Sequence, residues 1–255
     1  MHSRHIALFL FIVVAVMACG KSPTSPSASS NLPFVSESAT MRYFHEAGDS
    51  IDVARQEPFN AWAIERLGIT LPQKVEYRKY ASRDAMGRHT GNGNTNGFAE
   101  PSLWRLHTIW PFDNHEVVHV YTAMHGRPSD FFNEGIAVSF QADPARGDFT
   151  VRFNGQQVHE ACRAYLQSGV LPLPVSRYVT TTNFRGITDQ VMSYRFAGSF
   201  VLHMTERFGL PAVIRFFQTN NRDETLETIR ARSQAVFGVP LEDIERTWLE
   251  MLRGV

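Results

Sequence analysis

His115 and His119 stand four residues apart in the stretch 114–125, NHEVVHVYTAMH, so on a helix they share one face, one turn apart. Two imidazoles at that spacing can aim at a single cation. Glu116, next along the chain from His115, is placed to reach a water on that cation without joining the ligand set. Such a trio is suited to hydrolysis: the cation acidifies a water and the carboxylate takes its proton.

This is the H-E-x-x-H arrangement of zinc hydrolases. A plainer reading has Asp113 capping a helix, Glu116 completing a capping box and both His on the surface. Val117, Val118, Val120 and Tyr121 argue against it, because they make the helix apolar nearly all round. Two His and a Glu inside a core need partners, and one Zn2+ ion supplies one.

A third donor has two candidates. His125 lies six residues past His119, the offset of the metzincin H-E-x-x-H-x-x-G-x-x-H, and Met192 in VMSY resembles a Met-turn. Thr122, however, stands where that turn needs Gly, and a continued helix would carry His125 away from the His115 face. VMSY also lies in a helical pattern. The other candidate is Glu134, on a second helix that Ser129 or Asp130 can cap and that begins near Phe131. Phe131, Phe132, Ile136, Ala137, Val138 and Phe140 make that helix largely apolar. A carboxylate there is costly unless paired, and zinc pairs it.

HEVVH followed by FFNEGIAVSF resembles the gluzincins, whose second helix bears an E-G-x-A stretch with the Glu as third ligand; the resemblance favours Glu134. Ser193-Tyr194, Ala197–Phe200 and Glu206–Gly209 are similar to a later helix of the peptidase MA-like gluzincins, and Phe237–Val239, Leu241–Ile244 and Trp248 to their closing segment. The likeness spans most of 40–252. It implies a zinc peptidase with His115, His119 and Glu134 on one ion, Glu116 as general base, and Tyr194 as a further donor to the oxyanion. Tyr194 could equally be a packing residue at a helix start. One departure is Val138, which stands where the thermolysin-like branch has an Asp, leaving the outer partners of the two His unidentified.

The elements that must position these groups follow from periodicity. Residues 40–46 and 74–80 alternate as strands, the second half-exposed. Residues 51–67 carry a helical stripe broken or started by Pro58 and stopped by Gly68. Residues 86–98 read as a Gly/Asn loop without the strand, Lys and Ser/Thr that phosphate binding requires. Residues 102–109 read as a strand ahead of the metal helix, where a substrate backbone could add by strand pairing. Residues 211–218, 223–235 and 241–252 have the apolar spacing of packed helices. Cys162 is read as a packing residue, His107 as packed or solvated, His203 as satisfied or exposed, Arg195 as a weak candidate, and Arg146, His159 and Arg163 as surface.

With 25 basic and 25 acidic residues the chain has no net-charge footprint for nucleic acid. Residues 1–19 have the layout of a targeting segment: His2, Arg4 and His5, then an apolar run 6–17 too short to span a bilayer comfortably. The sequence VMACG around Cys19 resembles a bacterial lipobox, which implies lipidation of Cys19 and anchoring at the cell envelope, in the outer membrane or on the outer face of the cell membrane. Residues 20–38, rich in Ser and Pro, read as a tether. After Cys19 the only cysteine is Cys162, so the folded part must be held by its core.

The expected architecture is an α+β zincin-like domain over 39–255. A small mixed or antiparallel sheet packs on the H-E-x-x-H helix within 39–145, and a mainly helical part follows over 146–255. The expected partners are a peptide or protein substrate and a membrane, with the chain a monomer. No acidic anchor for a free amine is evident, which points to cleavage within chains. A lipoprotein that binds zinc and hydrolyses nothing is the competing reading, against which the intact Glu116 counts.

Overall fold

The computed structural model describes residues 32–254. The readings of a targeting segment and of Cys19 lie outside them. The fold is mixed α+β. Strands β1 (Phe34–Glu37), β2 (Met41–His45), β3 (Val75–Lys79), β4 (Gly97–Glu100) and β5 (Arg105–Thr108) form one sheet in the order β1-β2-β3-β5-β4. β2, β3 and β5 are parallel, and β1 and β4 pair antiparallel at the two edges. Alternation in β3 puts Val75 and Tyr77 into the core and leaves Glu76 and Arg78 half-exposed, as a pleated strand with one buried face requires.

Helix α1 (Val53–Leu67) crosses between β2 and β3. Asp52 caps its start by accepting from the Arg55 N–H, and Gly68 ends it in the left-handed conformation. Pro58 lies inside α1 and neither breaks nor starts it. α2 (Arg83–Thr90) takes up the start of the expected Gly/Asn loop and β4 its last two residues, leaving 91–96 irregular. The other helices are α3 (Glu116–Thr122), α4 (Asp130–Ser139), α5 (Val158–Gln167), α6 (Thr181–Arg185), α7 (Gln190–Phe208), α8 (Leu210–Phe217), α9 (Leu226–Phe237) and α10 (Leu241–Arg253). A two-stranded ribbon, β6 (Arg152–Phe153) with β7 (Gln156–Gln157), precedes α5.

Two expectations are corrected. Residues 34–37, read from composition as tether, are the edge strand β1, and buried Leu32 packs with Phe44, Tyr80, Ala85 and Met86. β5, read as the strand open to a substrate backbone, is flanked by β3 and β4, so its ladder is filled on both sides. The free edge beside α3 belongs to β4.

One hydrophobic cluster runs from Met41 to Leu252 and joins sheet and helices. Its tightest seam is the crossing of α4 and α7. A Cβ on Gly135 would lie 2.5 Å from a Val201 methyl and 2.7 Å from the Ala197 carbonyl oxygen, and one on Gly198 would lie 2.2 Å from a Val138 methyl. The turn between α3 and α4 is clamped from far along the chain: Gly126 is at φ +148°, a Cβ on it would lie 2.2 Å from the Phe217 carbonyl oxygen, and the Arg127 N–H donates to the Thr219 carbonyl.

Candidate metal centre

Asp113 sets the start of α3. Its Oδ1 accepts from the N–H groups of His115 (3.0 Å) and Glu116 (2.8 Å), and the buried Gln56 carbonyl accepts from its own N–H. Asp113 thus caps as the plainer reading expected, but Glu116 does not complete a capping box, because the Asp113 N–H goes to Gln56, and the cap coexists with the cluster. The α3 helix turns His115 and His119 to one side, and α4 brings Glu134 against them.

The three donor atoms converge. Nε2 of His115 lies 3.1 Å from Oε2 of Glu134, Nε2 of His119 lies 3.3 Å from the same oxygen, and the two nitrogens are 3.2 Å apart. Donors held tetrahedrally at zinc bond lengths are separated by about 3.3 Å. Two imidazoles and a carboxylate are also a zinc donor set, so the residues fit the ion. Among the described residues this is the one such group.

Electrostatics bind the trio together. Burial alone would raise the Glu134 carboxyl and lower the His119 imidazole. The facing charges outweigh burial, holding Glu134 well below the usual carboxylate range and lifting His119 to about 9. Glu116 lies beside the cluster and accepts no hydrogen bond from the described residues. Burial pushes its carboxyl up to about 7 against the pull of both imidazoles.

Among the described residues, the outer partners of the two His that sequence reasoning left unidentified are Asn133 and Gln141, and Glu134 has a third partner of its own. The amide nitrogens of Asn133 and Gln141 stand 3.1 Å from Nδ1 of His119 and 3.0 Å from Nδ1 of His115. A half-turn of either amide presents its oxygen instead, which accepts the Nδ1–H and leaves the Nε2 lone pair for a cation. Both flank Glu134 on or just beyond α4. The third partner is Arg185 of α6, which donates to Oε1 of Glu134 at 2.8 Å and also to Asp130. Val138 takes no such role, because it packs on Gly198 of α7.

Tyr194, near the start of α7, is brought to the cluster: its ring stacks on His115 at 5.6 Å and 26°, and burial, then the Glu134 charge, raise its hydroxyl pKa. His125 is not part of the group. It lies in the turn after α3, with Nε2 buried and no partner among the described residues. Met192 lies within α7 and not in a tight turn. Cys162 is buried, as read, and of the two alternatives for His107 the packed one holds: it is buried and stacks on Phe98 and Tyr80. His203 bonds Thr247, and Arg195 holds the Phe153 carbonyl of β6. His159, expected at the surface, is half-buried and joins α5 to α7 through Ser199 at 2.8 Å.

A cleft passes over the cluster, bounded on one side by the edge strand β4. Gly97 makes the approach possible: a Cβ there would lie 2.9 Å from Cγ of Glu116 and 3.3 Å from Oδ2 of Asp113. Compared with protein-family models, with curated proteins and with solved structures, the chain gives no match.

Proposed function

We propose that this chain is a zinc-dependent peptidase of gluzincin type on a zincin-like fold, held at the bacterial cell envelope by a lipid on Cys19. One observation carries the reading: three donors of zinc chemistry meet within 3.3 Å of one another, beside a carboxylate that accepts no hydrogen bond from the described residues.

His115, His119 and Glu134 would hold the ion, with Asn133, Gln141 and Arg185 fixing their orientation. Zinc bound there supplies Lewis acidity, which lowers the pKa of a water and polarises a carbonyl. Glu116 takes the proton of the attacking water on its carboxylate and delivers it to the nitrogen of the leaving amine. The Tyr194 hydroxyl, kept protonated by burial, donates to the carbonyl oxygen as negative charge develops. The free edge of β4 offers N–H and C=O groups to an extended peptide laid across the cleft. Glu116 is dispensable for metal binding alone, which favours hydrolysis over a purely binding role.

The decisive experiment is metal analysis of the purified full chain alongside digestion of a mixed peptide library. One zinc per chain and library cleavage that stops with 1,10-phenanthroline and returns with added zinc are expected. A metal-free, inert preparation after zinc addition refutes the proposal.

A further inference from the structure

The cleft has two unlike arms. The arm on the His115 side, about 500 Å³, is walled by amides and by the rings of Trp110 and Phe153, with Arg83 the one arginine among its described lining residues. The arm on the His119 side, about 580 Å³, has three arginines on one wall: Arg127, Arg185 and Arg222. They come from three separate segments, the α3–α4 turn, α6 and the loop before α9, so no helix periodicity explains their convergence.

Glu116, Asp130 and Glu134 line the same arm, and none of the three engages Arg127. Asp130, buried at the start of α4, accepts from both Arg185 and Arg222. Arg185 is spent on Asp130 and Glu134. Arg222 engages Asp130 with Nε and one terminal nitrogen, and its side chain remains about half exposed. The Arg127 guanidinium has no side-chain partner among the described residues, although its backbone is pinned to Thr219. Pinning the backbone of an exposed arginine lowers the ordering cost when its side chain meets a ligand. A guanidinium beside a half-engaged one, in a recess shared with the metal ligands, matches a planar carboxylate.

We infer that the Arg127–Arg222 wall binds a carboxylate of the substrate, so that the peptide carries an acidic side chain or its free C-terminus on one side of the bond that is cut. This rests on the peptidase reading of the same cleft. Asp130 serves here to hold Arg222 in place, and a neutral or basic peptide leaves Arg127 without a partner.

The test separates binding from cleavage. The zinc-loaded full chain carrying Glu116→Gln is titrated calorimetrically with matched peptides bearing Glu, Gln or Lys at each position around the bond cut in the library digest, or at every position of a library decamer if none is cut. A second pair differs only in a free or amidated C-terminus. Expected is at least tenfold tighter binding of a Glu peptide over its Gln and Lys partners at one position, or of the free over the amidated C-terminus, which assigns the carboxylate's source. Adding Arg127→Gln should reduce that ratio to within twofold, and Arg127→Lys should restore part of it. Equal binding of all peptides overturns the inference, and so does a ratio that survives Arg127→Gln combined with Arg222→Gln. A tenfold ratio from a chain whose wild type cuts nothing upholds the carboxylate site and counts against the peptidase reading alone.

Discussion

Arg185 of α6 and Glu134 of α4 divide one carboxylate between two tasks: the guanidinium takes Oε1 at 2.8 Å, while Oε2 faces both imidazoles at 3.1 and 3.3 Å. An anion so held cannot rotate its second oxygen toward the cluster. Replacing Arg185 by Ala should weaken zinc binding by about 10–100-fold, the usual cost of losing an outer partner. Competition against a chromophoric chelator measures this, and an unchanged affinity would show that the pair only packs α6 on α4.

The two candidate third donors predict opposite outcomes. Glu134→Ala should lose stoichiometric zinc, because among the described residues Oε2 is the carboxylate oxygen that lies within 3.3 Å of both Nε2 atoms. His125→Ala should keep it, since His125 lies apart from the group. Metal analysis after dialysis reads both, and the reverse pattern would restore the metzincin-type reading.

Glu116→Gln preserves shape and removes the base. Zinc content should stay at the wild-type level, while kcat on a cleaved peptide falls by about 10²–10⁴-fold, the range for loss of a positioned proton carrier. Activity within twofold of wild type would return the chain to a binding role.

Gly135→Ala tests the seam between α4, which carries Glu134, and α7. The new methyl meets a backbone oxygen at 2.7 Å, which cannot swing away as a side chain would, so the helices must part. A loss of about 1–3 kcal/mol in urea unfolding is expected from such overpacking. A neutral result would mean that the crossing relaxes without strain.

His203 gives a pH signature far from the cluster. Burial, opposed by Glu206 and aided by His159 and Arg207, lowers its pKa to about 4. The folded protein therefore binds fewer protons than the unfolded chain between about pH 6.5 and 4. Its contribution is complete above about 6.5 and is lost as the pH falls toward 4. The stability difference between wild type and His203→Gln should shift against wild type across that window by about 2–3 kcal/mol. Parallel pH profiles for the two proteins would show that His203 does not titrate in this range.

The sequence made the two helices that carry the candidate donors readable because their cues are local: a four-residue His spacing, apolar neighbours, and Glu134 inside a hydrophobic run. The helices near residues 211–218, 223–235 and 241–252 were legible for the same reason, and α8, α9 and α10 occupy nearly those spans. Arg185 was not legible, since 51 residues separate it from Glu134 and an arginine in TTNFRG carries no periodic cue. Gln141 and Asn133 were not singled out, because a lone amide has no spacing that marks it as the partner of a particular imidazole. β4 was hidden in the Gly/Asn run because its first residue, Gly97, is there for closeness to Glu116 and not for strand propensity. β1 was lost to a Ser/Pro-rich composition, although Phe34 and Phe44 meet edge to face across its pairing with β2.

The clamp on the α3–α4 turn has an evolutionary corollary. Gly126 and Arg127 are gripped by the backbone around residues 217–219, so the hinge between the helix with both histidines and the helix with Glu134 is set by a loop some ninety positions downstream. Lineages that lengthen or shorten that loop would change the opening angle between the two helices without altering any donor residue. Drift in affinity for the cation would then track insertions there, and a comparison of donor residues alone would miss it.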